Sequence, residues 1–183
     1  MNYDRAAVRA VLDQVRTEGR TALTAPEGKQ VCEAYDIPVP NEGLATSAQE
    51  AVRLAQEIGY PVVLKIVSTD ILHKTDAGGV LTGLASAAEV ERGYNAILTN
   101  ARAYQAEARI LGVQVQQMLP AAQEVIVGVT TDPSFGKLVA FGLGGVLVEV
   151  LQDITFRLAP ASKQDALSML DGIQALFSIR YNV

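Results

Sequence analysis

Gly112-Val-Gln-Val-Gln-Gln-Met-Leu-Pro-Ala-Ala-Gln-Glu-Val-Ile-Val-Gly-Val129 is the stretch on which the fold turns. Val113, Val115 and Gln117 alternate with Gln114, Gln116 and Met118, and Val125, Val127 and Val129 alternate with Glu124, Ile126 and Gly128. A period of two is that of a strand, whose side chains point to opposite faces in turn. Lys137–Phe141, Val146–Leu151 and Ile154–Leu158 continue the pattern at intervals too short to hold a helix. Strands this close together pair antiparallel, because a parallel pair needs a crossover of roughly a dozen residues.

Upstream, the period is mostly helical. Ala7, Val8, Val11, Leu12 and Val15 mark a helix over residues 4–18, and Pro26 opens a second helix through Tyr35, with Thr24 as its cap. Ser47-Ala-Gln-Glu50 and Ser86-Ala-Ala-Glu89 have capping-box spacing. The first starts a helix with Ala51, Leu54, Ala55 and Ile58 inward, and the second a helix to about Tyr104 with Val90, Tyr94, Ile97 and Ala101 inward. Two strands, Val62–Val67 and Val80–Leu84, lie between these helices, and Ser162 caps a last helix to about Phe177. Helices, a short strand–helix alternation and then a run of strands make an α+β fold. A seam near Gly112–Ala122 separates two lobes.

Composition excludes several classes. The chain has 183 residues, 15 Lys plus Arg against 20 Asp plus Glu, and a hydrophobic fraction of 49%. That fraction builds a core, so wholesale disorder is excluded. A net charge of −5 without a basic block does not suit sequence-independent nucleic-acid binding. One Cys and one His cannot make a Cys/His zinc site, and Cys32, on an apolar helix stripe with no basic neighbour, reads as a packed thiol. The longest uncharged apolar run, Leu138–Val148, is far short of the roughly 20 residues of a membrane helix. With no secretory h-region after Met1, a cytoplasmic location is expected.

The chemistry concentrates between two strands. Ser68-Thr-Asp-Ile-Leu-His-Lys-Thr-Asp-Ala-Gly-Gly79 holds the one His, a Lys, two Asp and a Gly pair. Imidazole titrates near neutrality, so His73 suits a nucleophile or proton carrier, and paired glycines let backbone amides approach a phosphate. By spacing alone, an ordinary exposed loop is the stronger reading. Lys65 interrupts Val62-Val-Leu-Lys-Ile-Val67; it either faces solvent or reaches an anionic ligand as a point charge. Glu124 and Glu149 sit among β-branched residues and by alternation face solvent, or else touch a ribose or metal. Arg157 is an edge-strand charge or a phosphate clamp. Phe141-Gly-Leu-Gly-Gly145 is neither a Walker loop nor a dinucleotide fingerprint, because no Gly-Lys-Ser/Thr and no helix follows.

Seven segments in order resemble one family: Gly59–Ser68, Asp70-Ile-Leu-His-Lys74, Asp76-Ala-Gly-Gly-Val80, Glu124-Val-Ile-Val-Gly128, Asp132-Pro-Ser-Phe-Gly136, Phe141-Gly-Leu-Gly-Gly-Val146, and Glu149–Asp153 with Phe156-Arg-Leu-Ala-Pro160. Over about residues 20–175 they look like the ATP-grasp part of NDP-forming acyl-CoA synthetases, the acetyl-CoA synthetase (ADP-forming) β subunit or domain. The resemblance implies an ATP-grasp fold: an N-terminal helix over 1–20, a first lobe over 21–111 and a partial second lobe over 112–183. It implies an acid–thiol ligase that passes a phosphoryl group between a phosphohistidine and ADP or ATP. His73 stands at the phosphorylated position. Lys65, Gly78 and Gly79 stand at the phosphates, Gln116, Gln117 and Met118 at the adenine, and Glu124 and Arg157 near the nucleotide.

The implied partner is an α subunit or domain with a CoA-binding region, and self-association is expected as well. The implied ion is Mg2+, yet the Asn-Pro…Asp pattern of the family's metal ligands does not occur in this sequence. The chain therefore reads as a second lobe in part, unable to complete the synthetase reaction alone. The alternative is a degenerate module that binds nucleotide or a partner without catalysis.

Overall fold

The computed structural model describes residues 3–145 and 153–173. The chain divides after Leu119 into two compact units.

In the first unit, α1 (Arg5–Thr17) and α2 (Ala25–Ala34) precede β1 (Glu42–Ala45), α3 (Ala48–Ile58), β2 (Val62–Ser68), β3 (Val80–Leu84), α4 (Ala87–Tyr104) and β4 (Ile110–Gln117). The strands form one antiparallel sheet in the order β1-β4-β2-β3. The Ser47 and Ser86 hydroxyls accept from the Glu50 and Glu89 amides, so both expected caps are made. Thr24 caps α2 through a full capping box with Glu27.

Alternation along β2 and β4 sorts the side chains. Leu64 lies opposite Val115 and Ile66 opposite Val113; these four pack with Ala51 and Ala55 of α3 and Val90, Ile97 and Ala101 of α4 in the buried core. Each fully buried aliphatic side chain contributes about 1.5–3 kcal/mol, so this layer dominates the unit's stability. Helix α4 lies tight on the sheet: a Cβ on Gly93 would stand 3.2 Å from Leu64 and Leu81. The other face carries Glu42 and Leu44 of β1, Gln114 and Gln116 of β4, and Val63, Lys65 and Val67 of β2.

Two features were not anticipated. β1 has no sequence signature, being four residues with a glycine. And β4 pairs with β2 from Ile110 to Gln117 and with β1 from Val113 to Gln116, so it belongs to the first unit and not to a second lobe beginning at 112. The unit boundary falls later, at the proline after Leu119, because pairing with β2 from Ile110 to Gln117, with one register shift at Val67/Ser68, ties β4 to the first sheet.

In the second unit, β5 (Val125–Asp132), β6 (Gly136–Leu143) and β7 (Ile154–Leu158) form an antiparallel sheet in that order, and α5 (Lys163–Asp171) packs on β7. Ser162 and Asp165 make a capping box at its start. Leu143, Met169 and Ile173 are buried. The strand expected at 146–151, with Glu149, and the last turns of the final helix lie outside the described residues. Among the described residues no helix is long and apolar enough to cross a membrane.

Candidate functional site

Lys65 does not face open solvent. It is half-buried on β2, with Gln114 of β4 on one side and Val80 of β3 on the other. Its Nζ donates to Gln116 Oε1 at 2.6 Å, and Gln116 Nε2 donates to Glu42 Oε2 at 2.7 Å. Burial pushes the Lys65 amine below its ordinary value; the Glu42 carboxylate opposes that shift and the Lys74 ammonium adds to it.

The segment after β2 is tied at its root. Ser68 Oγ accepts from the amides of Asp70 (3.1 Å) and Ile71 (3.3 Å), and Asp70 Oδ2 accepts from the Arg109 amide at 2.5 Å. Ile71 and Ala77 are buried, while Leu72 is 65% exposed and His73 is exposed beside it. The chain thus plugs two apolar anchors into the core and pushes the imidazole outward between them. His73, with Leu72, Lys74, Thr75, Asp76 and Val80, lines an open cavity of about 410 Å³. Val80, on β3, is the cross-strand partner of Lys65, so the histidine loop runs into the strand beside the lysine.

The glycine pair has a structural reason of its own. Gly78 is left-handed, with φ +59°, and a Cβ on Gly79 would collide with the Ile66 side chain. The Gly78 amide donates to Thr75 O at 3.0 Å and the Gly79 amide to Lys74 O at 2.8 Å. Both N–H groups therefore close the turn here rather than standing open to a phosphate. Gly79 O accepts from the Ile66 amide and Gly78 O from Asn100 Nδ2, pinning the turn to β2 and α4.

The end of β4 is also engaged. The Gln117 amide donates to Asn41 O at 2.8 Å and the Met118 amide to Pro61 O at 3.4 Å, while the Met118 side chain is exposed. Gln116 turns its carboxamide to Lys65 and Glu42. In the second unit, Glu124 is exposed and its carbonyl accepts from the Gly144 amide at 2.7 Å. Arg157 donates to Ser168 Oγ through Nε (3.2 Å) and Nη2 (2.9 Å), and to Phe156 O through Nη1. Lys65, His73, Gly78, Gly79, Gln116, Gln117 and Met118 thus share the first unit, and Glu124 and Arg157 the second. Glu42 was missed, since nothing local marks a glutamate on a four-residue strand whose partner lies 74 residues away.

The ATP-grasp domain family profile matches residues 14–180. The chain belongs to the ATP-grasp domain family. It is 46% identical over 165 residues to the β subunit of acetate–CoA ligase (ADP-forming) II of Pyrococcus furiosus, covering 90% of this chain and 70% of that one. The crystal structure of PH1788 from Pyrococcus horikoshii superposes with a TM-score of 0.90 at 46% identity, covering 96% of this ATP-grasp chain and 74% of that one. The dinucleotide-forming acetyl-coenzyme A synthetase 1 of Candidatus Korarchaeum cryptofilum superposes at 0.74 with 42% identity, covering 92% and 71%. That structure holds coenzyme A and Mg-AMPPCP, and its phosphohistidine segment points towards its nucleotide-binding site.

Among the described residues, no three His, Cys, Asp or Glu come together to hold a metal ion.

Proposed function

We propose that this ATP-grasp chain is the nucleotide-binding part of an ADP-forming acyl-CoA synthetase, in which His73 carries a phosphoryl group to and from ADP. What carries the reading is an exposed imidazole, on a loop rooted by Asp70 and Ile71, in a cavity whose Val80 is the cross-strand partner of the half-buried Lys65. The relatives supply the reaction class: similar proteins are ADP-forming acetate–CoA ligases, and one of them carries a phosphohistidine segment.

Phosphoryl transfer needs positioning and charge neutralisation more than covalent chemistry from the protein. When phospho-His73 meets ADP, the N–P bond breaks, a β-phosphate oxygen takes the phosphorus, and the imidazole takes up one proton. Lys65 holds the phosphates with the hydrogens that Gln116 does not use. Gly78 and Gly79 keep the turn close enough to β2 for the imidazole to reach them. Gln117 and Met118 lie along the base. Magnesium, when bound, arrives on the nucleotide and neutralises phosphate charge. The partner is an α subunit or domain that binds CoA and makes the acyl phosphate, and the setting is the cytoplasm.

The test is phosphoryl labelling. With an α partner and labelled ATP, the chain is expected to take up acid-labile, base-stable label, and His73→Ala to take up none. Equal labelling of both proteins, or none in the native chain with its partner present, would overturn the reading.

A further inference from the structure

The Gln116 carboxamide lies between two charges. Glu42 stands directly opposite Gln116 on β1, and Val63 directly opposite it on β2. Lys65, two residues beyond Val63 on the same face, reaches diagonally back to it. The result is a line of contacts across three strands: Glu42 Oε2 to Gln116 Nε2 at 2.7 Å, then Gln116 Oε1 to Lys65 Nζ at 2.6 Å.

A carboxylate only accepts and an ammonium only donates, so the amide can sit between them one way round. Turned over, its NH2 would face the ammonium and its oxygen the carboxylate, two repulsive contacts in a half-buried site. Both contacts are charge-assisted, the stronger class of hydrogen bond. Gln116 takes one of the three ammonium hydrogens and leaves two.

From this geometry we infer that Glu42 is a positioning residue: through the Gln116 amide it fixes the direction of the Lys65 ammonium and keeps it charged for an anionic phosphate ligand. The inference rests on the nucleotide reading of the site and deepens it. Gln116 then serves the lysine and not the base, and the charge on Lys65 is set from β1, which lies across β4 from the lysine strand. The charged groups that act on Lys65 are Glu42 from β1 and Lys74 from the turn after β2. Lys74 favours the neutral amine, and Glu42 is its counterweight. The bridge spans no distance greater than two hydrogen bonds, so it needs no movement of the backbone to act.

The full chain is titrated with ATP from neutral to alkaline pH, and the Lys65 side-chain resonance is followed over the same range. Native affinity is expected to fall on the alkaline side as Lys65 loses its proton. Glu42→Gln, which keeps the shape and removes the charge, should bring that fall and the Lys65 midpoint to lower pH. It should also weaken ATP binding at neutral pH by about tenfold, the scale of one charge-assisted hydrogen bond. Gln116→Leu should act in the same direction. Lys65→Met should abolish the alkaline fall, and adding Glu42→Gln to it should weaken binding no further.

Tighter ATP binding by Glu42→Gln would overturn the inference, since the carboxylate would then merely repel phosphate. So would additive losses in the double variant, or an unmoved Lys65 midpoint. If the native chain bound no ATP while the midpoint still moved in Glu42→Gln, the nucleotide reading would fall and the bridge would stand as the device that keeps Lys65 charged.

Discussion

The two sheets are built from similar strands and end in opposite conditions. In the first, Leu64 and Ile66 of β2 are 0% exposed under α3 and α4. In the second, Val127 and Val129 of the edge strand β5 are 71% and 67% exposed, and Phe156 of β7 is 47% exposed. β-branched alternation occurs in both; what differs is the cover. Two capped helices close one face of the first sheet, while among the described residues the second has α5, nine residues long, packed on its β7 side. A strand's pattern sets which side chains share a face, and the helices around it decide whether that face leaves water.

The sharpest way to break this comparison is a matched pair of truncations. Ile66→Ala should destabilise the chain by about 2–5 kcal/mol, as filled core sites do. Val127→Ala should change stability by no more than about 0.5 kcal/mol, as exposed sites do. Denaturant unfolding of both variants reads the difference, and a large loss at Val127 would mean that this face is covered in solution.

Glycines give a second contrast, smaller in scale. A Cβ at Gly79 meets the Ile66 side chain, whereas one at Gly128 on β5 meets nothing within 4 Å. Gly79→Ala should cost about 1–3 kcal/mol by overpacking and dislodge the His73 turn. Gly128→Ala should be neutral or stabilise by about 0.4–1 kcal/mol through the unfolded chain. Thermal unfolding, with hydrogen exchange over residues 69–79, separates the two.

The smallest expected effect sharpens the comparison through pH. Arg20 holds the Glu27 carboxyl in a two-point pair at 3.0 and 2.6 Å, lowering it from 4.5 to about 2, with the Thr24 cap helping. A carboxylate lowered on folding adds stability above its unfolded value and loses it as the pH falls through the folded one. The α1–α2 hairpin should therefore loosen as the pH drops from 4.5 toward about 2, and Glu27→Gln should remove that dependence. In the second unit Asp165 is lowered chiefly by the Ser162 hydroxyl and amide, with a smaller pull from Arg157, on an exposed helix start, so α5 should respond less. Tyrosine near-ultraviolet dichroism reports the hairpin, because the Tyr3 and Tyr35 rings lie 5.3 Å apart within it.

Much of the fold was legible because its signals are local. Ser47 and Ser86 announce two helices by cap chemistry, and Val90, Tyr94, Ile97 and Ala101 fall inward as their spacing requires. β1 was not legible: four residues with a glycine have no period, and only pairing with β4, far along the chain, makes them a strand. The unit boundary lies within the seam expected at Gly112–Ala122, but the second lobe was begun too early, at 112, since alternation in β4 cannot say which sheet it joins. For the site, alternation put Lys65 opposite its apolar neighbours and left open whether it meets solvent or an anionic ligand. In the fold, that face is half-closed by Gln116 and Glu42.

The sequence by itself determined the α+β order of elements, the capped helices, and the loop that carries the one imidazole, because each follows from interactions within a few residues. Only the tertiary structure decided that β4 closes the first sheet, that a glutamate from an unmarked strand steadies Lys65 through an amide, and that the glycine pair is required by the Ile66 side chain. Those depend on which strands become neighbours, and strand pairing joins residues tens of positions apart by contacts that no local pattern encodes.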